Sequence, residues 1–440
     1  MSLKVEVKNN LAVRSADIEI SGITVLAGVN GCGKSTISKS LFELLSGALN
    51  YNNVVDSEAQ VKLFSISQSL FTAVTNASGW LPKQDVKKIS ESLISLFYGA
   101  QRDSFEKVKL ALVSVLDVLE AKVSSAKEPK NDLQQRQRDS FITVLAAIDG
   151  PKQNLGSIGA IPALLMVRNK IESITEDSFA KKTARSIPTF QAYWKSIFKS
   201  SLNPEVFNVF ENGMPIYDSR RKVIGLPDSV KRVFYIDSPM AFNENESKRT
   251  HWNALNAALR KNGSLGPMFD YASPEPLGIL NGSFEWNDNR TDIEYSLPDG
   301  TSFELFSNGA TGLKSFTILQ NLFREGFIDE RTLLILDEPE AHLHPQWVVH
   351  FGRFLVMLRK ETGCRFLISS HSTDMISTLR YVTERELGCS PDFYLATNKV
   401  PENPFTFDFE KCGEDIEPIF NVFNQSFRLV DLYSEGLDNA

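Results

Sequence analysis

The chain has 440 residues, 42% of them hydrophobic, which is enough for a large core and two or three domains. Its formal net charge of -7 does not suggest a protein built mainly around nucleic acid, and no apolar run reaches the length of a membrane span. The start M-S-L-K-V-E-V lacks a signal-peptide core, and Cys32, Cys364, Cys389 and Cys412 are too scattered for disulfides or a zinc cluster, so the expected compartment is the reducing cytoplasm.

L-K-V-E-V and A-D-I-E-I alternate as strands of an antiparallel edge. I-T-V-L-A (Ile23–Ala27) then reads as a short apolar strand running into G-V-N-G-C-G-K-S-T, Gly28 to Thr36, followed by the helical run I-S-K-S-L-F-E-L-L. The spacing G-x-x-x-x-G-K-S is that of a phosphate-binding loop. Gly28, Gly31 and Gly33 let backbone N–H groups turn inward where side chains would block a phosphate, with Val29, Asn30 and Cys32 between them. The following helix adds the positive end of its dipole. Lys34 can reach the β- and γ-phosphates, the Ser35 hydroxyl can ligate Mg²⁺, and Thr36 completes the motif. The expected ligand is a nucleoside triphosphate.

From about Asn50 to Leu202 the sequence reads as mostly helical, as in Val108–Ala121 and Phe141–Ile148, with no phosphate or metal motif. Q-R-D-S-F occurs at Gln101–Phe105 and again at Gln137–Phe141, which is either a duplicated hairpin or coincidence. Ala121–Asp132 reads as an exposed turn between helices, and the absence of sustained heptads excludes long coiled-coil arms. Residues 151–200 are basic, and Lys181–Ser200 interleaves Lys181, Lys182, Arg185, Lys195 and Lys199 with aromatics. That segment is either a surface for nucleic acid or an acidic partner, or an amphipathic helix with solvated lysines; the second reading is preferred.

V-F-Y-I-D (Val233–Asp237), G-S-F-E-W, T-D-I-E-Y-S-L and S-F-E-L-F read as strands. In Leu305–Phe316 the small residues Ser307, Asn308, Gly309 and Ala310 precede a helical run, so free N–H groups point from a helix start. T-L-L-I-L (Thr332–Leu336) is a buried-strand run ending in Asp337-Glu338. At the carboxyl end of a parallel strand, Asp337 would hold Mg²⁺ and Glu338 would be the general base for the attacking water. F-L-I-S-S (Phe366–Ser370) delivers His371 to the same edge, facing the γ-phosphate. D-F-Y-L-A and F-T-F-D-F read as closing strands before a terminal helix in an acidic tail. The histidines His251, His342, His344, His350 and His371 do not cluster as an HNH or HD metal site would require, and His251 reads as a helix-surface residue.

This order of glycine loop, long insertion, S-x-G before a helix, D-E strand and then S-H resembles the ABC-type ATPase heads. D-E-P-E-A-H-L-H-P resembles their soluble SMC-like, RecF-like and OLD-like branch, over roughly residues 1–50 and 220–400. The resemblance implies an α/β fold, a mixed sheet with an antiparallel edge, carrying a large helical insertion: lobes at 1–50 and 206–440, insertion at 51–205. It implies that Mg-ATP is held by Gly28–Thr36, Asp337, Glu338 and His371 of one copy and closed over by Ser307, Asn308 and Gly309 of another. Asn308 stands where the family has its first glycine and Ala310 where it has glutamine. Residues Glu340 to His344 would cross the dimer interface. Asp237, or as the lesser rival Gln68, would serve in place of the family's glutamine loop. About seventy residues follow His371, short of the nuclease domain that OLD-type enzymes carry. The layout resembles the ATPase subunits of the Septu, PARIS and retron-associated anti-phage systems, which implies a cytoplasmic homodimer or higher homo-oligomer controlling a separate nuclease or toxin. The alternatives are a RecF-like repair ATPase that binds DNA through the insertion, and a self-sufficient nuclease.

Overall fold

The computed structural model describes residues 2–99, 104–148, 158–198, 207–221, 223–237, 283–287, 292–297, 299–400 and 402–424, with 255, 256, 258, 259, 430, 431 and 433. His251, Lys199 and most of the first Q-R-D-S-F lie outside these residues. Two compact units emerge: Met1–Leu49 with Ile187–Ala440, and Asn50–Ser186.

In chain order the first unit begins with β1 (Leu3–Asn10), β2 (Val13–Ile20), β3 (Ile23–Ala27) and α1 (Lys34–Leu49). The second unit is α2 (Tyr51–Asn76), α3 (Lys83–Gly99), α4 (Phe105–Ser124), α5 (Asp132–Ala147) and α6 (Ala160–Ala184). The first then resumes with α7 (Ile187–Phe198), β4 (Phe207–Glu211), β5 (Met214–Tyr217), β6 (Arg232–Ile236), β7 (Ser283–Trp286), β8 (Ile293–Ser296) and β9 (Ser302–Glu304). It closes with α8 (Leu305–Asn308), α9 (Thr311–Arg324), β10 (Thr332–Asp337), α10 (Pro345–Thr362), β11 (Arg365–Ser370), α11 (Thr373–Leu387), β12 (Asp392–Thr397), β13 (Phe407–Lys411) and α12 (Glu417–Phe423).

Ten strands form one sheet in the order β5-β4-β1-β2-β13-β12-β3-β11-β10-β6, and β7-β8-β9 form a small antiparallel sheet. Strands β12, β3, β11, β10 and β6 run parallel, and β5, β4, β1 and β2 pair antiparallel at the other edge. This is the mixed sheet with an antiparallel edge expected of an ABC-type head. The parallel strands read as continuous apolar runs because both faces are covered. Alternate residues Ile23, Val25, Leu334, Leu336, Phe366 and Ile368 enter a core shared with α9, α10 and α11. The opposite parity faces α1, where Phe42 and Tyr235 stack with centroids 5.8 Å apart and the hydroxyls of Ser38 and Ser369 meet at 2.8 Å.

The helical unit has its own core, including Leu70, Leu112, Leu119, Phe141 and Val167. The exposed link is shorter than expected, since α4 continues to Ser124. The cap of α5 then forms when the Asn131 side chain accepts the Gln134 N–H at 2.9 Å. Lys181–Ser200 is not one helix. It breaks where Arg185 adopts φ 42°, ahead of Pro188 at the start of α7. Helix α7 packs in the first unit through Phe190, which lies against Gly47 and Tyr217. S-F-E-L-F is likewise divided: Ser302–Glu304 pairs as a strand, while Leu305 and Phe306 begin a helical turn.

Glu43 on α1 is 1% exposed, with no hydrogen-bond partner at either carboxylate oxygen. Burial pushes its carboxyl from 4.5 up to about 7, against a smaller pull from Lys39. The folded chain therefore retains a proton that the unfolded chain releases, and stability falls as pH rises between those two values. Glu43→Gln should flatten this dependence, matching the parent near pH 4 and exceeding it at pH 8 by about 2–3 kcal/mol in chemical denaturation.

Candidate active site

The parallel strands β3, β11, β10 and β6 end nearly flush. Ala27 is paired with Ser370, Ser369 with Asp337, and Leu336 with Ile236. Gly28, His371, Glu338 and Asp237 therefore leave the same edge of the sheet side by side, where open α/β sheets bind ligands.

The loop from Gly28 to Gly33 wraps tightly onto its surroundings. A Cβ on Gly28 would lie 2.7 Å from the Ala396 Cβ and 2.8 Å from the Cys32 sulfur. Gly33 has φ +101°, and a Cβ there would meet the Val13 side chain at 2.4 Å. Both positions thus demand glycine. Lys34, 3% exposed, opens α1 and folds its ammonium back to donate to the carbonyls of Gly28 (2.7 Å) and Val29 (3.1 Å). Cys32 is buried beside it, and burial raises its thiol. Val29, Asn30, Gly31 and Ser35 are exposed and Thr36 is half-buried, so the outer rim of the loop is accessible.

Strand parity places Asp337, Ser369 and Tyr235 on the α1 face. The buried Tyr235 hydroxyl donates to Asp337 Oδ2 at 2.8 Å. Burial raises the Asp337 carboxyl, opposed by the hydroxyls of Ser35, Tyr235 and Ser369. Its Oδ1 is buried without a hydrogen-bond partner. A buried carboxylate oxygen without a donor, close to a serine hydroxyl at the phosphate loop, is the oxygen-donor set that suits Mg²⁺.

Glu338 leaves β10 with φ 50°, a left-handed conformation costing about 1–2 kcal/mol for a non-glycine residue. Its N–H donates to the Ser369 carbonyl at 2.9 Å. The turn swings its carboxylate toward His371, whose Nδ1 lies 3.6 Å from Glu338 Oε1 and 3.6 Å from Glu340 Oε1. Ser372 caps α11 by accepting the Met375 N–H at 3.3 Å, which fixes His371 between strand and helix.

Glu340 opens the loop that runs to His344. It is 7% exposed and turns into its own chain, where Oε1 accepts from the Ser370 hydroxyl (2.7 Å) and the His371 N–H (2.9 Å). His342 and His344 of that loop are exposed, and His344 caps α10 by accepting the Gln346 N–H at 3.4 Å. Asp237 lines a small cavity with Asp337, Pro339 and Ser315, whereas Gln68 lies on α2 in the helical unit. Ser307, Asn308 and Ala310 are exposed and Gly309 is half-buried. The Ser307 bonds run to Asp292 rather than to the phosphate loop. Sequence reading missed Tyr235, Glu340 and Asp292 as parts of this arrangement. For Tyr235 the available signal was parity, since it shares a face with Asp337. Among the described residues no group of three or more His, Cys, Asp or Glu is placed to hold a metal ion, and no helix is long and apolar enough to cross a membrane.

A family described as "AAA domain, putative AbiEii toxin, Type IV TA system" matches residues 317–377, the stretch that carries Asp337, Glu338 and His371. Two curated Clostridium perfringens proteins match over 180 residues, 41% of this chain. The "Putative ABC transporter ATP-binding protein CPE0195" is 24% identical, and the "Energy-coupling factor transporter ATP-binding protein EcfA2" is 25% identical. The chain spans 54% of the length of each. A solved Smc head domain with an extended coiled coil, from Pyrococcus furiosus and bound to the C-terminal domain of ScpA, aligns over 96% of this chain and 98% of its own. Its identity is 11% and its TM-score 0.32, so the fold rests on strand order and motif placement instead. Those features, with the sequence matches, give the chain the fold and motif order of an ABC-type P-loop ATPase head.

Tyr235→Phe keeps the ring stacked on Phe42 but leaves Asp337 Oδ2 without its donor. It should destabilise the metal-free protein by about 1–3 kcal/mol in chemical denaturation.

Proposed function

We propose that this chain binds and hydrolyses ATP with Mg²⁺, closing around the nucleotide together with a second copy. In this reading it is the sensor or scaffold ATPase of a bacterial anti-phage system and controls a separate nuclease or toxin. One observation carries the reading. The phosphate loop, Asp337, Glu338 and His371 converge on one sheet edge, whereas Ser307, Asn308 and Ala310 are presented to solvent. In this reading the second set would serve the nucleotide of a partner copy, and neither half would be complete alone.

Mg²⁺ would be held by Ser35 and Asp337, and when bound it offsets the charge of the phosphates. Lys34 would exchange the carbonyls of Gly28 and Val29 for phosphate oxygens. Glu338 would orient the attacking water and take its proton, with His371 beside it and Glu340 holding the backbone of His371 in place. Ser307–Gly309 of the second copy would face the γ-phosphate, so that turnover depends on association. The defence assignment draws support from the layout and from the matched family's description, which names a type IV toxin–antitoxin system. A DNA-binding face on the helical unit draws less. Lys181 is paired with Glu58 (2.9 Å) and Asp177 (3.0 Å), and Lys182 with Asp56.

Glu338→Gln should retain ATP, lower turnover by roughly 10²–10⁴-fold and shift the chain to a dimer with Mg-ATP in sedimentation velocity. Lys34→Ala should bind ATP poorly and remain unassociated. Normal hydrolysis by both variants would refute the site assignment. In cells carrying the native locus, Glu338→Gln should restore phage plating to the level of a strain without the locus; unchanged protection would count against the defence role.

A further inference from the structure

Asp292, just before β8, is 3% exposed, and its carboxylate accepts four hydrogen bonds. Oδ1 takes the N–H groups of Ile293 (2.7 Å) and Phe306 (2.8 Å), and Oδ2 takes the Ser307 N–H (3.0 Å) and the Ser307 hydroxyl (2.7 Å). Asn287 braces the aspartate from behind: its N–H donates to the Asp292 carbonyl at 3.0 Å, and its side-chain oxygen accepts the Asp292 N–H at 3.3 Å. On the far side of the turn, Lys314 donates to the Phe306 carbonyl at 3.0 Å. The segment that begins at Leu305 is therefore held by a carboxylate from the start of β8, the strand paired with the β9 that precedes it.

A serine hydroxyl has one proton and two lone pairs. Here that proton is committed to Asp292, so Ser307 shows only lone pairs to its exposed side. Phosphate oxygens at neutral pH are acceptors too, and an oxygen that must donate to them cannot also donate to Asp292.

We propose that Asp292 is a positioning residue that holds the Ser307 hydroxyl back from nucleotide, so that engagement of ATP across two copies requires the proton to turn from Asp292 to the phosphate. This rests on the reading that Ser307 meets the nucleotide of a second copy. The two N–H bonds to Phe306 and Ser307 keep the turn in place while the hydroxyl alone changes partner. The exchange opposes closure, because a charge-assisted bond is given up for each serine that engages.

The test is the Mg-ATP-driven dimerisation constant of the full chain in the Glu338→Gln background, measured by sedimentation. Asp292→Asn keeps an acceptor for the Ile293 and Phe306 N–H groups and gives up the one for the Ser307 N–H, while its amide can donate to the Ser307 hydroxyl oxygen and free the hydroxyl proton. It should tighten dimerisation on the order of tenfold. In a Ser307→Ala background the same change should alter dimerisation by less than about twofold. An equal effect in both backgrounds, or weaker dimerisation with Ser307 present, would overturn the proposal. A structure of the ATP-bound Glu338→Gln dimer decides the matter without any change at Asp292. Ser307 Oγ should have left Oδ2 while the bonds to the Phe306 and Ser307 N–H groups persist, and an Oγ still donating to Oδ2 would overturn it. Failure of Mg-ATP to dimerise the Glu338→Gln chain at all would instead sink the function proposed above.

Discussion

The site depends on the parallel pairing of β3, β11, β10 and β6 in a register that brings their carboxyl ends out together. Ala27, Ser370 and Asp337 lie within one residue of the same edge. A one-residue slip of β10 would turn Asp337 away from α1 and bring a leucine in its place, because strand side chains alternate faces. The apolar runs that fill both faces hold the register, so the polar cluster is positioned by hydrophobic packing. Within it, Asp337 is divided between two tasks. One oxygen is fixed by Tyr235 and the other is left without a donor at the loop. A buried oxygen in that condition is costly unless something binds it, which is the physical ground for expecting a cation there.

Much of the nucleotide edge was legible because its signals are local. A glycine loop between strand and helix, an acidic pair closing an apolar run, and a histidine closing another each declare their position within about ten residues. What was not legible depends on residues far apart in the chain. Leu305 and Phe306 follow a strand pattern, yet Asp292 captures the N–H groups of Phe306 and Ser307 and bends the chain into a turn. Nothing within the segment itself announces that aspartate. Glu340 was assigned to an interface loop by the family resemblance alone; only pairing of β10 with β11 brings it under Ser370 and His371. The break at Arg185 was marked by Pro188, whose fixed φ and missing N–H suit the first turn of a new helix and not the interior of a continuing one.

The helical unit shows how composition can mislead about surfaces. Its basic stretch looks like a landing strip for a polyanion when only the lysines are counted. In the folded unit Lys62, Lys181 and Lys182 are interleaved with Asp56, Glu58 and Asp177 contributed by α2 and α6. Exposed pairs of this kind add little to stability, about 0–1 kcal/mol each, but they cancel the field that would draw a phosphate backbone.

The left-handed backbone at Glu338 has an evolutionary corollary. Glycine would occupy that conformation most comfortably and asparagine or aspartate tolerably, so drift toward relaxed geometry would erase the carboxylate or shorten its reach. Retaining glutamate there means accepting a permanently tensed peptide in exchange for an acid aimed at the histidine. A homologue with glycine at this position, and a strand that is otherwise intact, would keep the glycine loop and Asp337 but lose the carboxylate beside His371.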